Sequence, residues 1–406
     1  MGRVAIVGGG VVGLATGLAL LDAGQSVILI DDDADGQAAS WGNAGHIAVE
    51  QVEPLASLAL LRSVPRRLFR RGGALDFPLS AIGAWFPFGL RLMAAAQPAR
   101  FRQGSEALRG LLAQAMPTWE ALVDRIGEPD LLRQDGHYVL WYSAQSAETG
   151  RAGWAAADTG TAQVHDASLP ELAQLSRLTS HPPAGAIRFS GSGQIADLSA
   201  LRFALRAALV AGGGEIVGRS ATLRSTGSRV EVPGIDADHV ILCAGVRSRP
   251  LMEALGHRVP MIAERGYHIR ADAAGWPADM PPVVFEDRSM IVTRYRDTVQ
   301  AASFVELGRV DASADPRKWE RLERHVAELG LPIRGPYTRW MGCRPTLPDY
   351  LPAIGRSDRV DNFFYAFGHQ HLGLTLAPIT AQMITALVTG QAPILSNSLF
   401  DIRRFA

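Results

Sequence analysis

Cysteine is almost missing: Cys243 and Cys343 are the only two in 406 residues. That excludes a disulfide framework and any cysteine-built zinc or iron–sulfur centre, and it makes a reducing cytoplasm the expected location. A net charge is missing too, because 40 Lys+Arg balance 40 Asp+Glu. Bulk charge therefore calls for neither nucleic acid nor an anionic membrane. No apolar run approaches the roughly twenty residues of a membrane span. The N-terminal apolar stretch is broken by glycines and lacks a leader cleavage pattern, and no fixed-period repeat or low-complexity linker is found. His165 and His181 lie in polar stretches without partners at metal spacing, so no metal is expected. What is present is a hydrophobic fraction of 47%, enough for two domains or one large discontinuous one.

The first thirty-odd residues read strand, glycine turn, helix, strand, acid. Arg3 to Val7 is β-branched, and Gly8-Gly9-Gly10-Val11-Val12-Gly13 follows with the G-x-G-x-x-G spacing. Leu14 to Ala23 has helical apolar spacing, Gly24 stops it, and Ser26 to Ile30 is a second buried run ending at Asp31. Such a unit holds a pyrophosphate at a helix N-terminus, where free N–H groups and the helix dipole offset the anion. Asp31 suits ribose hydroxyls and repels a 2′-phosphate, which favours FAD or NAD over NADP.

Further along, Gly36 to Ile47 is small and polar, a loop placed to reach the pyrophosphate and a cofactor ring, with an ordinary turn as the alternative. Leu55 to Phe101 mixes apolar clusters with Arg62, Arg66, Arg67, Arg70 and Arg71. It reads as a cap over the site, or alternatively as a peripheral contact with the inner face of a plasma membrane. Ala107 to Leu122 reads as a helix and Gly136 to Tyr142 as a strand. Leu198 to about Ala211 reads as another helix, followed by a strand around Glu215 to Val217, and His239 to Leu242 reads as a buried strand. Tyr267 to Ile269, Val283 to Phe285, Met290 to Val292 and Thr298 to Phe304 predict an antiparallel sheet. Phe363 to Phe367 is a strand, and Leu374 to Thr389 a helix stopped by Gly390.

The chain resembles the D-amino-acid oxidase superfamily of FAD enzymes, most of all its D-amino-acid dehydrogenase branch. The likeness rests on the glycine turn, on Ser40-Trp41-Gly42-Asn43-Ala44-Gly45, on Ala244-Gly245, on Gly342-Cys343-Arg344-Pro345 running to Asp349, and on Gly368 to Gly373. It implies an α/β fold: a discontinuous Rossmann-type FAD domain over 1–82, 195–258 and 340–406, and an α+β substrate domain over 83–194 and 259–339. It implies cofactor contacts at Gly8, Gly10, Val12 and Gly13, with Asp31 and Asp32 at the ribose and Ser40 at the pyrophosphate. Asn43, Ala44, Gly45, His46 and Ile47 are expected at the flavin ring, and Ser220 and Ala221 beside the adenine. Ala244 and Gly245 fall by the pyrophosphate, and Gly368, His369, Leu372, Gly373, Leu374 and Thr375 at the flavin pyrimidine. Arg344 is expected to grip a substrate carboxylate, with Tyr267, His268 and Phe285 around the pocket. The covalent-attachment cysteine of some members is one position out of register with Cys343, so non-covalent FAD is expected.

The implied activity is oxidative deamination of a D-amino acid or a D-proline-like cyclic imino acid, by hydride transfer to flavin N5. A quinone or another carrier is the expected electron acceptor. The alternatives are an O2-using glycine or N-methyl amino acid oxidase and, more distantly, a non-catalytic FAD subunit of a complex; oligomeric state is left open.

Overall fold

Strands that are apolar on both faces need cover on both faces, and the runs read above supply such strands. In the computed structural model, which describes residues 2–406, they form a six-stranded sheet. Its order is Glu215–Val217, Ser26–Ile30, Arg3–Val7, His239–Leu242, Phe363–Phe367, Ala353–Arg356. The first five are parallel and the last is antiparallel to its neighbour. One face, carrying Val4, Ile6 and Leu29, packs on the helices Val11–Asp22, Leu198–Ala211 and Gly373–Val388. Ala5, Val7, Ile28 and Ile30 of the other face meet Met252, Val259 and Met261.

Contrary to the expectation of no long apolar run, Gln370–Val388 is a 19-residue helical stretch long and apolar enough to cross a membrane. It is a core helix, 61% buried and packed on Val11–Asp22, and its hydrophobicity follows from burial on several sides.

The second sheet has nine strands. Along its path come Thr338–Thr346, Ile262–Asp272, Thr298–Gly308, Met290–Arg294, Val283–Phe285, His137–Trp141, Gly185–Ser190 and Gln163–Asp166, with Leu75–Asp76 against Thr298–Gly308. Pairing is antiparallel except for Val283–Phe285 on His137–Trp141 and for Leu75–Asp76. The expected boundary at 340 falls inside Thr338–Thr346, which pairs along its length with Ile262–Asp272. Residues 75–76, within the expected segment 1–82, also join this second sheet.

Three local readings change. The Ala107 to Leu122 helix is two helices, Pro98–Ala113 and Ala115–Arg125. His165 lies in the strand Gln163–Asp166, exposed, rather than in a loop. Ser220 and Ala221 lie beyond the strand Glu215–Val217.

Side-chain alternation along Ile262–Asp272 divides the chemistry of this sheet. Glu264, Gly266, His268 and Arg270 face the first sheet: His268 Nδ1 lies 3.1 Å from the Gly42 carbonyl oxygen and Arg270 donates to the Trp41 carbonyl at 3.3 Å. Arg265 and Tyr267 face the helix Pro316–Glu328, where Lys318 is fully buried. Its ammonium lies 2.7 Å from Asp76, 2.5 Å from Glu306 and 3.1 Å from Asp315, and Arg265 also pairs with Glu306.

Candidate active site

The carboxyl ends of the parallel strands open into a cavity of about 1270 Å³ whose opposite wall is the second sheet. Open α/β sheets bind ligands at this edge. At one end, the helix Val11–Asp22 starts at Gly10 with no side chain capping from that position, so the N–H groups of its first turn beyond Val11 are available to an anion. Gly8 adopts φ +108°, and a Cβ there would lie 2.5 Å from the Cys243 carbonyl oxygen. A Cβ on Gly13 would overlap the Gly8 carbonyl. These two glycines serve backbone packing. Gly10 is different: a Cβ would meet only Ser40 Oγ, at 3.2 Å, so its backbone is open to a close approach from the cavity.

Asp31 lies on the cavity wall and accepts from the Gly9 and Asp33 N–H groups, while burial raises its carboxyl pKa. Asp32 is more exposed. The Ser220 hydroxyl bonded to its carboxylate, together with Arg247 at 3.1 Å, lowers its pKa. An uncapped helix N-terminus beside an acid in a long cavity fits a dinucleotide's pyrophosphate and ribose.

Ser40 Oγ accepts from the Val11 N–H at 3.2 Å. That bond leaves the Ser40 hydroxyl proton free for a phosphate oxygen, so Ser40→Ala should weaken dinucleotide binding about fivefold, the effect of the roughly 1 kcal/mol of one hydrogen bond. Fluorescence titration of the apoprotein with FAD measures it, and an unchanged affinity would discard the role.

At the other end, Arg344 extends from Thr338–Thr346 in register with Glu264. Its Nη1 is 3.2 Å from Glu264 Oε1 and 3.2 Å from the Phe304 carbonyl oxygen. A Cβ on Gly266 would overlap its Nη2, so that glycine makes the room the guanidinium occupies. Glu264 is buried and also accepts from Thr346 at 3.1 Å and Tyr350 at 3.4 Å. Phe304, Tyr350 and Gln370, three residues around this arginine, have positive φ (71°, 57° and 49°). Strain of this kind collects where geometry is imposed by function. The planar donor fork is thus fixed from behind, with the arginine on the cavity wall.

Most of the expected residues line this one cavity: Gly8, Gly10, Val12, Asp31, Asp32, Ser40, Asn43, Ala44, His46, Ser220, Ala221, Ala244, Gly245, Tyr267, His268, Arg344, His369, Gly373 and Leu374. Gly13, Gly45, Ile47, Gly368, Leu372, Thr375 and Phe285 do not. Alternation explains two of these: Ile47 packs into the core between His46 and Ala48, and Phe285 is fully buried, stacked on Tyr142, while Val284 faces the cavity. Gly45 and Gly368 hold positive φ in the turns flanking the cavity. Thr375 Oγ1 accepts from the Ala48 N–H, and Leu372 is a core residue.

Tyr267 touches the cavity, but its hydroxyl donates to Glu306 at 3.0 Å on the far face, so its polar group belongs to the Lys318 network. His268 stacks on Trp340 at 4.8 Å and burial pushes it down to about 3. Burial likewise pushes His46 to about 4 and His369 to about 3. Both rings are neutral at neutral pH.

The sequence reading missed Glu264 and Gly266, which only register brings to Arg344. It also missed Glu50, Gln51, His137 and His371 on the cavity wall. A glutamate directly after Ile47-Ala48-Val49 was the one available signal.

A family model described as "FAD dependent oxidoreductase" matches residues 3–387. The chain belongs to that family. FAD is the cofactor of this oxidoreductase, and the glycine turn, Asp31 and Ser40 are the residues that would hold its diphosphate and ribose. Among its relatives, a D-amino-acid oxidase of Bradyrhizobium diazoefficiens is 29% identical, with 99% of each chain covered. A D-amino acid dehydrogenase 2 of Ralstonia nicotianae is 28% identical over 99% of this chain and 100% of its own. Among solved structures, iminodiacetate oxidase from Chelativorans sp. aligns with TM-score 0.74 at 18% identity, covering 98% of each chain. Glycine oxidase from Geobacillus kaustophilus aligns at 0.72 and 20%, covering 99% of each.

Proposed function

We propose that this flavoprotein oxidises the Cα–N bond of a D-amino acid or a D-proline-like cyclic imino acid and passes the electrons to a quinone or another carrier. The observation that carries the reading is Arg344, an anchored cation on the wall of a cavity whose other end suits the FAD diphosphate. It fixes the substrate carboxylate through two donors, which orients Cα. FAD, when bound, would supply the two-electron acceptor for the hydride that leaves Cα. The nitrogen lone pair closes the C=N bond, and the imine hydrolyses in water or, from a cyclic substrate, persists. The relatives named D-amino-acid oxidase and D-amino acid dehydrogenase support the substrate class.

Two observations support a carrier over oxygen. His46 and His369, the histidines whose positive charge near the flavin would favour electron transfer to O2, are held neutral by burial. The segment beyond the cap also offers a surface. Leu55, Leu60 and Arg67 line the cavity, while Ile82, Phe86, Leu90 and Met93 form an exposed stripe at helical spacing on Ile82–Ala95. Arg62, Arg66, Arg70 and Arg71, which precede it in the chain, are exposed, and Asp76, the only acid from 55 to 103, is taken up by Lys318. An apolar stripe with flanking arginines suits an anionic bilayer surface, where quinones reside. Cys343 Sγ is directed at the Val310 carbonyl, 3.9 Å away, and shares the strand face of Arg265, opposite to Arg344, which supports non-covalent FAD.

One experiment tests these points together. Anaerobic flavin reduction is followed with D- and L-amino acids, D-proline, sarcosine and glycine, and reoxidation is then timed with air or with quinone in anionic vesicles. D-substrates should reduce the flavin fastest and the vesicle quinone should reoxidise it at the turnover rate. Fastest reduction by glycine or sarcosine with reoxidation by air at the turnover rate identifies an oxidase of that type and overturns the proposal. Flavin that stays with the acid-precipitated protein overturns non-covalent binding.

A further inference from the structure

Alternation along 46–50 sends Ile47 and Val49 into the core and His46, Ala48 and Glu50 to the cavity wall. Glu50 is 4% exposed, and its Oε2 has no hydrogen-bond partner among the described residues. His46 Nε2, also unpartnered, lies 3.9 Å away. The His137 ring packs 4.4 Å from that of His46, its Nδ1 held by the Ser192 hydroxyl at 3.0 Å. His371, bonded through Nε2 to Gln51, has its pKa lowered to about 3 by burial first, then by the charge of Arg344 and that of His46. The charged and titratable groups facing Glu50's part of the cavity are therefore His46 from its own segment, His137 from the second sheet, His371 from the turn before Gly373–Val388, and Arg344 beyond it.

A buried carboxyl oxygen with no partner is unfavourable unless a ligand completes it. Burial pushes Glu50 up to about 8 and His46 down to about 4, so the empty cluster is close to uncharged at neutral pH. An amino acid whose carboxylate is on Arg344 brings an ammonium into the same cavity, and an ammonium cannot become an imine until it gives up a proton.

We propose that Glu50, positioned by His46 and His137, receives the α-ammonium of the substrate and takes one of its protons before the Cα hydrogen leaves. As the ammonium enters, Glu50 releases the proton it carries in the empty site to solvent; one N–H bond of the ammonium then breaks and one O–H bond forms on the Glu50 carboxylate, leaving a neutral amine. The Cα hydrogen then departs with its electron pair to oxidised FAD, and the nitrogen lone pair forms the C=N bond of an iminium. The proton on Glu50 returns to solvent when product leaves. This inference rests on the amino-acid reading above.

The test uses Glu50→Gln, which keeps shape but cannot accept a proton, in the FAD-loaded enzyme. Isobutyrate and 2-aminoisobutyrate are the probes: both carry the carboxylate, only the second carries the ammonium, and neither can be oxidised at Cα in the manner of a substrate. Binding is read from the flavin spectrum. Wild type should bind 2-aminoisobutyrate at least tenfold more tightly than isobutyrate, and Glu50→Gln should lose that preference while isobutyrate affinity stays within twofold. kcat/KM at pH 7 should fall about 100-fold, as for loss of a general base, and its ascending pH limb should move upward by at least one unit. An ammonium preference that survives in Glu50→Gln, or is lacking in wild type, overturns the proposal, as does an equal loss of both ligands. Absence of isobutyrate binding in wild type instead overturns the carboxylate anchor itself, and this proposal with it. His46, Glu50 and His137 also bring one ligand atom each within 4.8 Å of one another, so stoichiometric zinc or iron in the purified protein would overturn the proton role as well.

Discussion

Arg344→Ala is expected to lower kcat/KM for the amino acid about 1000-fold, mostly through KM, while FAD stays bound. Truncating one partner of a hydrogen-bonded charge pair costs 2–5 kcal/mol, and about 4 kcal/mol corresponds to that factor. Two losses combine in the single variant. The substrate carboxylate loses both donors, and Glu264, 2% exposed at its side chain, is left with only the Thr346 and Tyr350 hydroxyls. Arg344→Lys separates them: it keeps a cation for Glu264 but not the planar fork, and about a tenfold to hundredfold loss is expected. A double variant, Arg344→Met with Glu264→Gln, removes the stranded acid and should retain the full loss in KM. Steady-state kinetics alongside the flavin spectrum measures all three, and a KM within threefold of wild type for Arg344→Ala would end the anchor assignment.

Lys318→Met should destabilise the second sheet by about 3–5 kcal/mol, the usual result of removing one partner from a buried ionic group. The lysine is fully buried, so methionine preserves most of the packing and the effect reports charge. Asp76, Glu306 and Asp315 would then share only Arg265, Arg317 and the Tyr267 hydroxyl. Urea unfolding monitored by tryptophan fluorescence reads this, and an unchanged midpoint would show that the network contributes nothing. The pH dependence has a definite sign. The Arg317 guanidinium, and after it Lys318, holds the Asp315 carboxyl well below the usual carboxylate range. Its stabilising contribution is complete above the unfolded value of about 4 and is lost as pH falls through the lower folded value. With Lys318 removed the folded value moves up toward 4, so the stability that Asp315 loses in acid should be smaller than in wild type and should be fully lost at a higher pH.

Neither variant alters the cofactor's diphosphate end, which is the part most fully written in the sequence. The G-x-G-x-x-G spacing, the helix behind it and the acid at Asp31 depend on neighbours within about thirty positions. Local steric rules therefore state them: φ +108° at Gly8 needs glycine, and the uncapped start of Val11–Asp22 follows from the turn itself. The buried strands were legible for the same reason, since a run apolar on both faces can only be covered on both faces. Arg344 was legible as a guanidinium between Gly342 and the prolines Pro345 and Pro348, although it sits in the strand Thr338–Thr346 and not in a loop.

Tertiary structure decided which side chains accompany these features. Tyr267 and His268 are adjacent in sequence, yet pleating sends the tyrosine hydroxyl to Glu306 and the histidine to Gly42. Phe285 and Val284 divide in the same way, and a one-residue shift of register would have reversed them. That register is set by pairing between segments remote in the chain, as Glu264 beside Arg344 shows. Glu50, His46, His137 and His371 come from three separate parts of the chain and become one cluster only when both sheets close on the cavity. Sequence spacing specifies backbone conformation over a turn or a helix, whereas the face a strand presents and the groups that meet across a cavity follow from long-range packing.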